Sequence, residues 1–145
     1  MKAIETIVRG VCIQNGRVLL CRSRQGGRLS YLPGGHIEFG ETARAALVRE
    51  MYEELGLAAR IGRFLGCSEH AFVQKGEPHA EINLVFRMTL AGVPSDRDPQ
   101  AREDWIRFFW HPVDRLETAG LEPVPLCRAL ALWLKRPGFV TSGVC

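Results

Sequence analysis

Three carboxylates fall within five residues of a segment that the sequence predicts to be helical. The stretch 42–55 lacks glycine and proline and is rich in helix formers, and Gly56 stands where a helix can end. Glu50, Glu53 and Glu54 then share one face spanning roughly a quarter to a third of a turn. Such crowding is unfavourable unless solvent, basic side chains or a divalent cation offsets it. Oxygen ligands without thiolates or paired histidines favour a hard ion such as Mg²⁺ or Mn²⁺.

The acidic face of this predicted helix adjoins an apolar face instead of opposing it. The apolar side chains are Leu47, Val48, Met51 and Leu55. Most acidic helix faces are simply solvated, so the helix alone does not establish a binding site. Gly34 and Gly35 precede the helix, however, and glycine lets the backbone approach a ligand closely. Together these features favour a cation site at the rim of a groove, and Mg²⁺ commonly binds substrate phosphates there.

The segment from Gly35 to Leu57 resembles the Nudix box. That pattern reads Gly, five residues, Glu, seven residues, then Arg-Glu-U-x-Glu-Glu-x-Gly-U with U aliphatic, and every fixed position is filled here. The filled positions are Gly35, Glu41, Arg49, Glu50, Met51, Glu53, Glu54, Gly56 and Leu57. The flanking segments 32–35 and 110–116 are also similar to those of the family, so the resemblance covers nearly the whole chain.

The resemblance implies both a fold and a metal site. The fold is an α/β class, Nudix-type α/β/α sandwich with a mixed sheet, in which the box forms a loop–helix–loop. Glu50, Glu53 and Glu54 are expected to coordinate one or more Mg²⁺ ions, or Mn²⁺ in their place. The backbone carbonyl of Gly35 is the expected further ligand.

The implied reaction is hydrolysis of a phosphoanhydride bond in a nucleoside diphosphate linked to another group. Candidate substrates are a nucleoside triphosphate or a nucleotide sugar such as ADP-ribose. Bound cations would neutralise the phosphate oxygens and activate a water for in-line attack on phosphorus. Arg49 is expected to orient the carboxylates, Glu53 above all, and Glu41 to support the loop–helix junction or approach the metal, as in some relatives.

The general base has more than one candidate. Glu53 on the helix is the first, and Glu81 on a later predicted strand is the second. Alternation along that strand puts His79, Glu81 and Asn83 on one face and Ala80, Ile82, Leu84 and Phe86 on the other. The polar strip either lines the substrate cleft or faces solvent. Glu103, in a later loop, is a weaker candidate.

Substrate-binding residues are sought outside the box. Arg24 and Arg28, with Arg22, flank the loop before Pro33 and are candidates to meet phosphates, although a solvated loop is the commoner arrangement. His70 and Phe72 are candidates to stack on a base. Trp110 is a third aromatic candidate, and aromatic side chains on strands more often belong to the core.

The predicted elements alternate between strands and helices. Strands are predicted over 4–13, 17–21, 57–72, 79–90 and 105–110, and helices over 42–55 and 123–134. Asn15-Gly16 predicts a tight hairpin turn, and Pro33-Gly34-Gly35 should break or bulge a strand. Segments 22–30 and 91–104 read as loops. This strand-rich order with a hairpin disfavours a purely parallel sheet.

The composition agrees with a single domain over 1–145. A hydrophobic share of 46% and a charged share of 24% are those of an ordinary globular protein. The net charge of +3, with scattered basic residues, suits a small anionic nucleotide and does not indicate nucleic acid. No signal peptide or membrane-spanning run is recognised, so a cytoplasmic location without a membrane partner is expected. The five cysteines include no close pair, which predicts reduced thiols.

Features that sort Nudix substrates are mostly missing. No proline follows the box before Pro78, which disfavours one mark of ADP-ribose hydrolases, and no tyrosine follows it at all, which weakens a dinucleoside polyphosphate. A homodimer stays open, because relatives are often dimers.

Two alternatives from other functional classes stay open. The chain could be a catalytically inactive nucleotide-binding or regulatory module, although its complete carboxylate set argues against this. It could instead be an RNA 5′-end pyrophosphohydrolase, for which the scattered charges supply little basic surface. Salt-dependent RNA binding would separate this second alternative from hydrolysis of small nucleotides.

Overall fold

Two β-sheets form the centre of the computed structural model, which describes residues 2–135. The first sheet has the strand order β4-β1-β6-β5, with β1 at Glu5–Val11, β4 at Gly34–His36, β5 at Ala59–Gln74 and β6 at Glu77–Leu90. The second has the order β2-β3-β7, with β2 at Ile13–Gln14, β3 at Arg17–Ser23 and β7 at Ile106–Pro112. Helices α1, Ala43–Leu55, and α2, Val124–Lys135, complete the fold with a 3₁₀ segment at Val113–Thr118.

Strand β1 makes the first sheet mixed. It pairs in parallel with β6, from Glu5 opposite Glu81 to Val11 opposite Arg87, and antiparallel with β4 on its other side. Strands β5 and β6 form a long antiparallel hairpin. The prediction of an α/β sandwich with a mixed sheet is therefore confirmed.

Apolar side chains fill two clusters, one under each helix. The first holds Met51 of α1 with Phe86 of β6. The second holds Leu130 of α2 with Val85 of β6. Since Val85 and Phe86 are consecutive, they point to opposite faces of the sheet, which is covered on both sides. Packing on the sheet therefore fixes the position of α1 and of its carboxylates relative to the core.

Helix α1 begins and ends where its sequence predicts. The Thr42 hydroxyl accepts a hydrogen bond from the Ala45 backbone N–H at 3.1 Å, which caps the first turn. Gly56 adopts the left-handed conformation, with φ at 69°, and closes the last turn. The box therefore forms the loop–helix–loop that the resemblance implies.

Element boundaries differ from the predictions by at most about two residues, and the short strand β4 was not predicted. The predicted strand 4–13 ends at Val11, and a two-residue strand leads into the Asn15-Gly16 turn, whose positive φ values of 49° and 71° agree with the predicted tight turn. The last strand continues to Pro112, and the 3₁₀ segment that follows was not predicted. The ends of the strands depend on pairing with distant strands, which local sequence signals do not report.

The prediction of reduced thiols holds for three of the four cysteines within residues 2–135. Cys12, Cys21 and Cys127 are free. Cys67 is disulfide-bonded, so the prediction of a reduced thiol is wrong there. Sequence spacing detects only cysteines that are close along the chain, whereas a disulfide requires closeness in space.

Within residues 2–135, no helix combines the length and the apolar character needed to cross a membrane.

Candidate active site

The glycine turn before α1 brings backbone against both β1 and a carboxylate. Gly34 has a φ of 148°, and a Cβ atom there would overlap the carbonyl oxygen of Val8. A Cβ atom on Gly35 would overlap the carboxylate of Glu50. Glycine permits both approaches. The turn therefore sets a backbone segment directly beside the first carboxylate of the expected metal ligands.

Arg49 is the centre of the network that joins this turn to α1. Its Nη2 donates to Glu41 Oε1 at 2.6 Å and to the His36 carbonyl at 3.1 Å, and its Nε donates to Glu41 Oε2 at 3.2 Å. Its Nη1 donates to Glu50 Oε1 at 3.0 Å and to Glu53 Oε2 at 3.3 Å. Bonding to Glu41 raises the pKa of the Arg49 guanidinium further, so it stays charged. One arginine thus orients three carboxylates.

Glu54 is buried, whereas the side chain of Glu53 is half exposed. Glu54 keeps only 6% of its exposure, and its Oε2 has no hydrogen-bond partner among the described residues. Burial, followed by repulsion from Glu50, raises the pKa of Glu54 to about 8. An unpartnered buried carboxylate is unfavourable when ionised. This atom is therefore one that a bound cation would satisfy.

Two adjoining cavities open beside these side chains. The Glu54 cavity, about 220 Å³, is lined by Glu54, Gly34, Arg22 and Trp105, among others. The Phe72 cavity, about 300 Å³, is lined by Phe72, His70, Glu81, Glu122 and Leu29, among others. Arg9 and Tyr31 line both, so the cavities meet at these two side chains. The two cavities are therefore neighbours and define one candidate cleft.

The aromatic side chains predicted to bind a base lie in the Phe72 cavity. The rings of His70 and Phe72 stack with centroids 5.2 Å apart and planes 17° apart, and His79 stacks on the other side of the pair at 5.2 Å from Phe72. They give the cavity an aromatic wall, in which the two imidazole rings cover Phe72 on both faces. Trp110 is different: it is buried in the core beneath α1, and its Nε1 donates to the Pro94 carbonyl at 2.9 Å. Trp110 therefore takes the core position that is the commoner one for aromatic side chains on strands, because its face of β7 turns towards the core.

The loop arginines divide into one inside the cleft and two outside it. Arg22 lines the Glu54 cavity and lies over the Phe109 ring at 4.2 Å. Arg24 donates to the Ile106 carbonyl at 3.3 Å, and both Arg24 and Arg28 are exposed outside the two cavities. Strand β3 continues to Ser23, so pairing fixes Arg22, whereas Arg24 and Arg28 leave with the loop.

The two candidate bases outside the box lie in different surroundings. Glu81 lines the Phe72 cavity and accepts a hydrogen bond from Asn83 Nδ2 at 2.9 Å. Glu103 accepts a hydrogen bond from Trp105 Nε1, and its charge helps to raise the pKa of Glu54. The structure therefore brings Glu103 near the box carboxylates and puts Glu81 at the far part of the cleft.

Among the cleft residues that sequence reasoning missed are Arg9, Tyr31 and Glu122. Arg9 carried a usable signal, since it is a charged residue between the apolar residues Val8 and Val11 of one strand. Tyr31 and Glu122 carried none, because each lies in a connection whose position depends on the rest of the fold.

Comparison with known proteins agrees with this geometry. The Nudix domain family matches residues 5–129, most of the chain, and the protein belongs to the Nudix family. The solution structure of the E. coli ORF135 protein superposes with a TM-score of 0.71 at 28% identity, covering 95% of this chain and 96% of that one.

Curated relatives match over shorter stretches. The CTP pyrophosphohydrolase of Escherichia coli is 39% identical over 69 residues, which is 45% of this chain and 50% of that protein. The ADP-ribose pyrophosphatase of Methanocaldococcus jannaschii is 29% identical over 99 residues, 66% of this chain and 57% of that protein. The chain spans between 34% and 57% of the length of the curated relatives it matches.

Proposed function

We propose that this protein is a magnesium-dependent pyrophosphohydrolase that cleaves a phosphoanhydride bond in a nucleoside triphosphate or a related nucleoside diphosphate derivative. The observation that carries the proposal is the buried, unpartnered Oε2 of Glu54 at one end of a cleft. The other end of that cleft offers an aromatic wall. The relatives named for CTP and ADP-ribose support the same class of substrate.

The donor set of the box fits a magnesium ion. No three carboxylate, imidazole or thiolate groups within residues 2–135 are close enough together to form a cation site of their own. Mg²⁺ does not require one, since it commonly binds through one or two carboxylates, waters and substrate phosphates. Glu54 and Glu50 supply hard oxygen donors, and Gly35 lies against Glu50 without an intervening side chain. Glu53, half exposed, is the third expected ligand.

Each residue of the candidate site then has a definite role in the proposed reaction. Mg²⁺ held by these carboxylates would supply the positive charge that a diphosphate needs before a nucleophile can approach it. Arg49 holds Glu50 and Glu53 on the same side of α1. Glu41 fixes Arg49 through two hydrogen bonds and also accepts one from the Glu38 backbone N–H at 2.9 Å. The aromatic wall receives the base at His70, because both faces of Phe72 are already covered.

Glu53 is the preferred general base of the proposed reaction. It is the most exposed of the three α1 carboxylates, and its Oε2 is held by Arg49 at 3.3 Å, so it is oriented without being buried. Glu54 is buried, which leaves its charge available mainly for a cation. Glu81 lies in the Phe72 cavity, beyond Arg9.

A substrate screen with Mg²⁺ tests the proposal. Wild type, Glu53→Gln and Glu54→Gln would be compared on nucleoside triphosphates, nucleotide sugars including ADP-ribose, dinucleoside polyphosphates, coenzyme A and 5′-triphosphate RNA. At least one small nucleotide should be cleaved by wild type. Turnover of that nucleotide should fall in both variants. The fall should exceed the roughly 10- to 100-fold loss that is typical when a residue hydrogen-bonded to a metal ligand is replaced.

Glu69→Gln is the matched control, because Glu69 is an exposed carboxylate on β5. It should keep full activity. Preferential cleavage of the RNA would replace the small-nucleotide assignment, and nucleotide binding without turnover would identify an inactive binding module. The cytoplasmic location and the homodimer stay predictions of the sequence.

A further inference from the structure

Arg9 occupies the junction of the two cavities. It lies on β1 opposite Val85, and with Tyr31 it forms the boundary between the Glu54 cavity and the Phe72 cavity. A ligand that reaches from the aromatic wall to Glu54 must pass its guanidinium. Building on the proposed function, we propose that Arg9 binds the phosphate chain of the substrate at this junction, and that Asn83 and Glu81 position it.

Two hydrogen bonds hold the Arg9 guanidinium in place, and its other N–H donors are not engaged by them. Its Nε donates to Asn83 Oδ1 at 3.2 Å, and its Nη1 donates to the Leu32 carbonyl at 3.0 Å. A guanidinium has five N–H donors, so three remain that no other residue in 2–135 accepts. No carboxylate of these residues lies within ion-pair distance of it. Planar, charged donors of this kind match phosphate oxygens.

Asn83 fixes the direction of that guanidinium. It is fully buried, and both ends of its amide are bonded: Oδ1 accepts from Arg9, and Nδ2 donates to Glu81 Oε1 at 2.9 Å. The bond to Glu81 determines which end of the amide faces Arg9. Without Glu81, the N–H₂ end of the amide would lose its acceptor, and only the bond from Arg9 would hold the Asn83 side chain in this direction.

This chain of contacts gives Glu81 a role different from that of a general base. Glu81 acts through Asn83 and Arg9, so it is a positioning residue. A base would change the rate of the chemical step, whereas a positioning residue for phosphate changes binding. The two roles therefore separate in an equilibrium measurement without turnover.

The test measures binding by calorimetry in Mg²⁺, with two probes. Inorganic tripolyphosphate reports the phosphate subsite without a base, and α,β-methylene CTP reports the whole cleft without hydrolysis. Arg9→Gln should weaken tripolyphosphate at least about tenfold, the loss typical of charge-assisted hydrogen bonds, and Arg9→Lys should fall between it and wild type. Arg60→Gln, which removes an exposed arginine on β5, should change affinity by less than about twofold.

A double-mutant cycle tests the role of Glu81. Glu81→Ala should weaken tripolyphosphate several-fold in the wild-type background and have no further effect beside Arg9→Gln. Additive losses would remove the positioning role, because the two residues would then act independently. Circular dichroism of each variant shows whether the fold is kept.

Two results overturn the assignment of Arg9. One is wild-type affinity for tripolyphosphate in Arg9→Gln, which would leave the arginine as a mere counter-charge for Glu54. The other is the absence of tripolyphosphate binding by wild type. Failure of the proposed function looks different: no substrate would be turned over, while binding would still depend on Arg9.

Discussion

Replacing Glu54 by glutamine should stabilise the cation-free protein at neutral pH. Folding raises the pKa of this carboxyl from 4.5 to about 8, so between those values the folded protein keeps a proton that the unfolded chain releases. The contribution of Glu54 to stability is therefore full below pH 4.5 and is lost as the pH rises towards 8. At about 1.36 kcal/mol per pH unit, the loss by pH 7 is about 3 kcal/mol.

Glutamine has the same shape and cannot ionise, so the variant should escape this loss. The measurement is thermal unfolding in EDTA at pH 5 and pH 8. For a chain of this size the melting temperature of Glu54→Gln should exceed that of wild type at pH 8 by roughly 10 °C, with a much smaller difference at pH 5. Saturating Mg²⁺ should reduce the difference at pH 8, because the ion would stabilise the wild-type carboxylate.

The half-exposed Glu53 supplies the matched control. Its ion pair with Arg49 is solvent-screened, so Glu53→Gln should shift stability little at either pH. Equal differences between wild type and Glu54→Gln at pH 5 and pH 8 would refute the reasoning, since the carboxyl would then have the same pKa in the folded and unfolded states.

Three further predictions test other parts of the structure. Gly35→Ala should push the Glu50 carboxylate aside and weaken Mg²⁺ by about 10- to 100-fold in titration calorimetry, with an unchanged circular dichroism spectrum. Thr42→Ala should lower the free energy of unfolding by about 1 kcal/mol in urea, and Thr42→Ser should restore it, because the N-terminal cap of α1 needs a hydroxyl. Cys21, whose burial raises its thiol pKa to about 12, should resist iodoacetamide at pH 8 more than the half-buried Cys127 does; equal rates by mass spectrometry would contradict this.

Local signals were enough to predict the catalytic helix. The cap at Thr42, the end at Gly56 and the common face of Glu50, Glu53 and Glu54 all follow from residue types and helical period. The hairpin at Asn15-Gly16 was predictable for the same reason.

The environment of each carboxylate was not predictable from that period. Glu53 and Glu54 are neighbours in sequence and share a face, yet one is half exposed and the other is buried. The difference arises from what lies beside α1: Glu54 shares a cavity with Trp105 and Ile106, and the backbone N–H of Arg102, in the loop before β7, donates to the Glu54 carbonyl at 2.7 Å. Nothing within the helix indicates where that loop lies.

The substrate half of the cleft depended on contacts between distant residues. Arg22, Arg24 and Arg28 were all candidates as basic residues near the box, and the pairing of β3 brings only Arg22 of the three to the cleft. Arg9 and Asn83 meet because β1 pairs with β6, a partner that no local pattern identifies.

That same pairing determines when the two halves of the cleft can form during folding. The bonds between Arg49 and Glu41 span eight residues, whereas the bond between Arg9 and Asn83 spans 74. Closing the larger loop costs more entropy and slows folding. On the ribosome, the box could therefore order its carboxylates soon after it emerges, while β1 waits for β6 to be synthesised. The Arg49–Glu41 network of the box and the Arg9–Asn83 contact are therefore expected to form at different stages of folding.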